Sequence, residues 1–314
     1  MKLKMAFVMD PLERISVDKD TTFVLMLEAQ RRGHEVWYGQ VKDLFVINAL
    51  PHARLSAVSV SRGSPHYSVI KTETIALNYF DVIWMRKDPP FNLDYIYATY
   101  ILGLADKNGT LVINNPRGIR ESNEKLYTLH FPALLPETLV SKDASCIKEF
   151  LRDVGGEIVV KPLDSCGGEG VFYLREGDKN INVILENATK GGEVFVMAQR
   201  FISEVVEGDK RIILLDGEPI GAVLRVSKAD DFRCNFHSGG RAEMAEITDR
   251  DMEICSILAP KLRQDGLYFV GIDVIGGYLT EINTTSPTGV QEINRFCGVS
   301  LEAKVMDFVE RRCS

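Results

Sequence analysis

Three oxygen-bearing side chains interrupt an apolar hairpin near the end of this chain. In GIDVIGGYLTEINTTSP, residues 271 to 287, Asp273, Glu281 and Asn283 stand among Ile, Val and Leu. A three-residue loop at Gly276, Gly277 and Tyr278 would set Ile275 opposite Leu279 and Asp273 opposite Glu281. Strand alternation then puts Asn283 on the same face and turns Ile272, Val274 and Ile282 into a core. A two-residue loop is the competing register and sends Asp273 to the opposite face. Two carboxylates about 5 Å apart on a poorly solvated face repel unless a cation compensates. An all-oxygen set suits Mg²⁺ or Mn²⁺ rather than zinc, and such ions leave positions for phosphate oxygens. The bland alternative is that these acids pair with arginines or cap turns.

A second stretch bears on that choice. Lys161 ends the apolar run VVKPL and is followed by DSCGGEG, residues 164 to 170. Gly167, Gly168 and Gly170 remove the Cβ atoms that would keep backbone N–H groups away from a phosphate. The loop lies between two strands, unlike the strand–loop–helix of a dinucleotide fingerprint or a P-loop. A metal hairpin, a phosphate loop and a strand lysine in one region point to nucleotide-dependent chemistry. Arg86, Lys87 and Asp88 close another strand, FDVIWMR, where α/β sheets bind ligands; Arg86 and Asp88 are candidates for substrate binding.

These residues need elements to hold them. Strand signals at residues 3–9, 35–39, 80–86 and 110–114 alternate with helices at about 20–32 and 94–107, which implies a parallel sheet covered by helices. Residues 42 to 78 carry Pro51, Gly63 and Pro65 and suggest no definite element. After NNPRGIRESNEKLYTLHF, residues 114 to 131, the rhythm changes to a helix, strand–loop–strand, and a hairpin around Asp216-Gly217. A helix from Thr248 to Gln264, the metal hairpin and a helix over 301–311 complete the chain. The expected class is α/β: a parallel-sheet, Rossmann-like domain at 1–122 and a second domain at 123–314, divided at residue 200 into two α+β subdomains.

Composition narrows the partners. The 314 residues are 45% hydrophobic and 26% charged, with 44 acidic against 37 basic side chains and a net charge of −7. No long basic stretch favours nucleic acid or anionic lipid. No apolar run approaches the roughly 20 residues that cross a bilayer. Six scattered cysteines without a CxxC pair read as reduced thiols in a cytoplasmic protein. The five histidines make no nucleophile–base pattern, and His237 reads as an ordinary loop residue.

The arrangement NEKL, VVKPLDSCGGEG, DKR, GIDVIG and LTEINTTSPTG resembles the ATP-grasp ligases, and VMDP with WMRKDPPFNLDYIYATYIL resembles bacterial glutathione synthetases. The similarity runs from about Leu3 to Arg311. It implies ATP- and Mg²⁺-dependent (or Mn²⁺-dependent) joining of γ-glutamylcysteine to glycine, with ATP between two antiparallel sheets. By the same resemblance Lys125 and Lys161 contact ATP phosphates. Met197, Ala198, Gln199, Arg200, Phe201 and Ile202 form the segment beside adenine. Asp273, Glu281 and Asn283 match the metal ligands, Arg211 and Arg225 the basic residues at the reacting groups, and Ser286 and Thr288 the glycine-side pocket. A homotetramer is implied as well. Where the family usually carries Gly-Met in the glycine loop, this chain has Ser165-Cys166.

The polar stretch Ser227 to Arg241, with Gly239 and Gly240 as hinges, is a candidate lid over an acyl phosphate, which must be kept from water. Two rivals remain: a ligase of the same superfamily with other substrates, against which RKDPPF speaks, and a nucleotide-binding regulator without turnover. The complete Asp-Glu-Asn trio with both lysines speaks against the second. A Rossmann dehydrogenase is opposed by the absence of GxGxxG after the first strand.

Overall fold

The computed structural model describes residues 1–227, 234 and 240–314, arranged as three sheets with flanking helices. The first sheet begins with β1 (Lys4–Met9), α1 (Thr21–Arg31) and β2 (Glu35–Gly39). It continues through β3 (Leu44–Ile47), β4 (Leu50–Val60), β5 (Tyr67–Ala76), β6 (Val82–Arg86), α2 (Leu93–Lys107), β7 (Leu111–Ile113) and α3 (Pro116–Glu121). Asp20 caps α1 by accepting the Phe23 N–H at 2.6 Å. Strands β2, β1, β6 and β7 pair in parallel, as the alternating pattern predicts. The region without predicted elements holds β3, β4 and β5, which add antiparallel and make the sheet mixed. β5 is almost wholly exposed, so it lacks the apolar alternation by which a strand is recognised.

The second sheet has the order β10-β9-β11-β8 and is antiparallel throughout. Its elements are β8 (Thr138–Ser141), α4 (Ala144–Asp153), β9 (Glu157–Pro162), β10 (Phe172–Arg175), α5 (Ile181–Ala188) and β11 (Val196–Arg200). It has a small core of its own, in which Ile147, Leu151, Ile158, Val160 and Leu185 pack together.

The third sheet, β14-β13-β12-β15-β16, is also antiparallel. Its strands and helices are β12 (Asp209–Leu215), β13 (Glu218–Val226), β14 (Arg241–Met244), α6 (Asp249–Gln264), β15 (Phe269–Ile275), β16 (Tyr278–Asn283), α7 (Val290–Cys297) and α8 (Leu301–Arg312). This sheet shares its apolar core with the first: Ile212, Leu214, Ile272 and Ile282 pack in one cluster with Val8, Leu102 and Ile119. Polar ties reinforce the junction. The Asn114 amide donates to the Phe269 and Thr284 carbonyls, each at 2.8 Å, and its oxygen accepts from Phe269 N–H at 2.8 Å. Arg32, after α1, reaches Asp307 at 2.7 Å and Glu310 at 2.9 Å on α8.

One contact at this junction has no spare room. A Cβ on Gly118 in α3 would stand 2.1 Å from the Asp265 carbonyl oxygen, a backbone atom that cannot swing away. Gly118→Ala is therefore expected to destabilise the protein by about 1–3 kcal/mol through overpacking. Urea unfolding compared with wild type checks this, and an unchanged midpoint would contradict it.

Candidate active site

The hairpin of Asp273, Glu281 and Asn283 reaches its register by a different route from the one predicted. Gly276 and Gly277 alone form the loop, with φ of 55° and 77°, the doubly left-handed geometry of a tight hairpin turn. Ile275 therefore pairs with Tyr278 and Val274 with Leu279. By itself that turn would put Asp273 out of line with Glu281. The ladder shifts at this point, with Thr280 as the extra residue, and Asp273 pairs with Glu281 after all. Gly271 pairs with Asn283, so the three oxygen-bearing residues share one face while Ile272, Val274 and Ile282 are buried behind them.

Register across the whole third sheet adds charges to that face. Arg211 on β12 pairs with Asp273 on β15, and Asp209 on β12 pairs with Arg225 on β13. Arg211 donates to Asp273 from Nη2 at 3.0 Å, and Arg225 approaches the same carboxylate at 2.9 Å while also pairing with Asp209. The Asn283 amide lies 3.3 Å from Asp273. A Cβ at position 271 would come within 3.0 Å of Arg211 Cδ, which is why a glycine stands there.

Burial alone would raise the Asp273 pKa, but the Arg211 and Arg225 guanidiniums outweigh it and hold the carboxyl well below its usual range. Asp209 goes the other way. Burial pushes it up to about 6, Arg225 pulling it back and Asp273 adding to the rise. Among the described residues its Oδ1 has no hydrogen-bond partner, nor has the buried Arg225 Nε.

The second sheet faces this cluster across a cleft of about 840 Å³ of empty space, mouth included. Lys161 on β9 and Gln199 on β11 project into it, the ammonium donating to the Gln199 oxygen at 2.8 Å. Burial lowers the Lys161 pKa, with Glu281 opposing the shift. Lys125 donates to the Ser165 carbonyl at 2.7 Å and pairs with Glu281 at 3.0 Å. Its pKa is raised because Glu281 outweighs the effect of burial.

Gly167 and Gly168 line the cleft, and the Ser165 hydroxyl donates to the Glu169 carbonyl at 3.0 Å, closing the loop on itself. Arg200, Phe201 and Ile202 complete one wall.

A second, smaller pocket opens beside the first. Asp88, Arg211, Arg225, Asn283, Ser286 and Thr288 line it, and Glu281, Cys166 and Gly167 belong to both pockets.

Several candidates from the sequence stand elsewhere. Met197 and Ala198 are fully buried and line neither pocket. Gly170 lines neither as well; its Cβ would meet Pro162 at 2.7 Å, so it serves the turn. Arg86 is 3% exposed and donates to Thr22 Oγ1 at 3.0 Å and to the Pro287 carbonyl at 2.8 Å. It steadies the Ser286–Thr288 segment from behind instead of lining the pocket. His237 and Gly239 lie outside the described residues. Of the proposed lid, Cys234 lines the cleft, its thiol 3.7 Å from the Val205 carbonyl.

Two acids escaped the sequence reading although both sit inside motifs it quoted. Glu124, next to Lys125 in NEKL, accepts the Thr284 and Thr285 N–H groups at 3.0 and 3.1 Å and the Thr285 hydroxyl at 2.7 Å. Asp209 opens DKR.

The donor set fits a divalent cation. Two carboxylates and an amide converge, and ammonium and guanidinium groups now partner them where a metal would otherwise supply positive charge.

Two antiparallel sheets closing on a cleft with this lysine, glycine-loop and oxygen-ligand arrangement define an ATP-grasp ligase. The ATP-grasp domain model of prokaryotic glutathione synthetase matches residues 124–298, and the model of that family's N-terminal domain matches residues 3–120. The glutathione synthetase of Synechocystis is 48% identical, covering 99% of this chain and 100% of its own. That of Coxiella burnetii is 46% identical over 99% and 98%. Among solved structures, the D-cycloserine synthetase DcsG superposes with a TM-score of 0.70 at 16% identity, covering 98% of this chain and 99% of its own, a likeness of fold. The chain belongs to the prokaryotic glutathione synthetase family.

The raised Asp209 pKa has a signed consequence. A carboxyl that binds its proton more tightly when folded stabilises the fold at low pH and loses that contribution as pH rises from about 3.8 to about 6. Asp209→Asn should flatten the stability profile across that window, read by thermal unfolding at a series of pH values. Parallel profiles for the two proteins would contradict the assignment.

Proposed function

We infer that this chain is an ATP-dependent ligase that joins γ-glutamylcysteine to glycine, forming glutathione with release of ADP and phosphate. The observation that carries the reading is the sharing of Glu281, Cys166 and Gly167 by two pockets. A nucleotide in the larger pocket and a carboxylate in the smaller one would meet there. Full-length similarity to glutathione synthetases supports the choice of substrates.

The chemistry follows from the side chains. Lys161, Lys125 and the backbone of Gly167 and Gly168 hold the triphosphate, while Gln199 to Ile202 line the nucleotide's wall. The cysteinyl carboxylate, held by Arg225 and Arg211, attacks the γ-phosphorus; the bond to ADP breaks and an acyl phosphate forms. Such transfer needs positioning and charge neutralisation more than covalent participation by the protein. Mg²⁺ or Mn²⁺ bound by Asp273, Glu281 and Asn283 supplies positive charge at the transferring phosphate when present. The glycine amine, in the segment of Ser286 and Thr288, then attacks the acyl carbon. Arg225 and Arg211 stabilise the oxyanion of the tetrahedral intermediate, and phosphate departs.

In this reading residues 1–122 form the substrate-side domain, 123–200 the subdomain that covers ATP and 201–314 its base. Asp88 contributes to the peptide side, and Arg86 contributes by fixing the Pro287 carbonyl. Six free thiols suit a reducing cytoplasm. The family resemblance supports a homotetramer, which light scattering would measure.

The decisive assay follows phosphate release with Mg-ATP, γ-glutamylcysteine and glycine, each omitted in turn. Release that needs all three, with glutathione accumulating in step, is expected. Turnover confined to other acids or amines would keep the ligase class and overturn the substrates, whereas ATP binding without turnover would favour a regulator. Glu281→Gln and Asn283→Ala should each lower metal-dependent turnover by at least about 100-fold while leaving the circular-dichroism spectrum intact. Wild-type rates in either variant would remove the trio from the mechanism.

A further inference from the structure

The glycine loop carries a thiol whose chemistry the reaction described above does not use. The backbone around it is held by three hydrogen bonds. Lys125 donates to the Ser165 carbonyl at 2.7 Å, the Ser165 hydroxyl to the Glu169 carbonyl at 3.0 Å, and the Glu169 N–H to the Cys166 carbonyl at 3.2 Å. Cys166 itself is exposed and lines both pockets. Asp88, Glu124, Lys125 and Glu281 all act electrostatically on its thiol, and Asp88, Glu124 and Glu281 line the smaller pocket. The sulfur is therefore presented where the two spaces meet.

A second feature, independent of the thiol, marks this place for a ligand. Arg225 lines the smaller pocket and is 3% exposed, and its Nε has no hydrogen-bond partner among the described residues. A buried N–H in that state is costly until an acceptor arrives. In the reaction proposed above, the acceptor brought to Arg225 is the cysteinyl carboxylate of the peptide. The peptide's sulfur is three bonds from that carboxylate carbon and lies within about 4.5 Å of it. Binding the carboxylate at the junction thus brings a second sulfur close to Cys166. The tripeptide product leaves the same sulfur beside the same loop.

We propose that Cys166 is a reversible modification site for the disulfide of the enzyme's own product, glutathione disulfide. The proposal rests on the ligase reading above. One half of the disulfide takes the product's place at the junction, and the larger cleft, with about 840 Å³ of empty space, has room for the other. Cys166 loses its proton to solvent, and its thiolate attacks the sulfur held beside it. The S–S bond of the disulfide breaks, a new S–S bond forms to Cys166, and the departing thiolate takes up a proton. Cys166 is oxidised and the departing glutathione is reduced, with no other oxidant needed. The attached tripeptide fills the smaller pocket and stops turnover. Excess reduced glutathione reverses the exchange. Partial burial, Asp88 and Glu124 push the thiol up to about 11, so a disulfide that does not bind first meets a thiol rather than a thiolate. Selectivity comes from placement, because a bound disulfide acts at high effective concentration.

The test uses the full chain, reduced and then freed of reductant. Glutathione disulfide and bis(2-hydroxyethyl) disulfide, which is small and neutral, are added separately, and adducts are located by peptide mass mapping. Glutathione disulfide should modify Cys166 about tenfold or more faster than the exposed Cys146 and Cys297, a preference that the neutral disulfide should not show. γ-Glutamyl-α-aminobutyrate, with a methyl in place of the thiol, should slow the reaction at Cys166 and leave that at Cys146 and Cys297 unchanged. Turnover, read as phosphate release with that peptide, Mg-ATP and glycine, should fall in proportion to Cys166 modification and return with dithiothreitol. Cys166→Ser, scored against its own untreated rate, should keep its activity under the same treatment. Modification of Cys166 no faster than of the two surface thiols, or turnover that persists once Cys166 is modified, would overturn the proposal. Reduced enzyme that releases no phosphate with γ-glutamylcysteine, Mg-ATP and glycine would instead overturn the ligase reading, and the proposal with it.

Discussion

The Asp273 carboxylate, 2% exposed and clasped by two guanidiniums, is the interaction on which the site depends. An ionised carboxylate removed from water survives only when its charge is matched and its lone pairs are occupied. Arg211 and Arg225 do both, and each is itself buried and needs Asp273 or Asp209 for the same reason. The cluster is thus mutually obligatory. Breaking a buried pair of this kind costs about 3–5 kcal/mol, since the remaining partner is left uncompensated. It also holds Asp273 ionised through the physiological range.

That cluster exists because three strands agree in register. β12 lies between β13 and β15, so Asp209 and Arg211, two residues apart, present both charges toward the flanking strands. The core behind the sheet is continuous with the first domain and gives the charges a rigid base. The sheet that carries Lys161 and Gln199 has its own small core and meets the base across the cleft. A rigid anionic and cationic floor under a separately packed cover suits a reaction whose main demand is alignment of charged groups with water kept out.

Lys125 and Glu124 show how closely positioning and chemistry are joined. Lys125 connects the glycine loop to the β15–β16 hairpin through Ser165 and Glu281. Its neighbour Glu124 fastens the Thr284–Thr285 backbone from the other side. Two adjacent residues thereby tie both pockets to the same short segment. The loop's Ser165 takes part in this: its hydroxyl closes the turn. Cys166 stands with Gly167 and Glu281 where the pockets join.

Local chemistry in the sequence determined the parallel strands, the capped helices, the glycine loop and the shared face of the three oxygen-bearing hairpin residues, because periodicity, caps and positive-φ turns are properties of neighbouring residues. The trio was reached through a loop one residue too long, and the bulge at Thr280 that restores the pairing has no signature in so short a strand. The arm of β4 and β5 was hidden for a related reason: an exposed strand needs no apolar alternation. Only the tertiary structure decided that Asp209 and Glu124 belong to the site, that Arg86 supports the pocket from behind, and that Met197 and Ala198 are buried and line neither pocket. Those assignments depend on which strands lie side by side, and pairing between distant segments is set by the packing of the whole chain rather than by any one stretch of it.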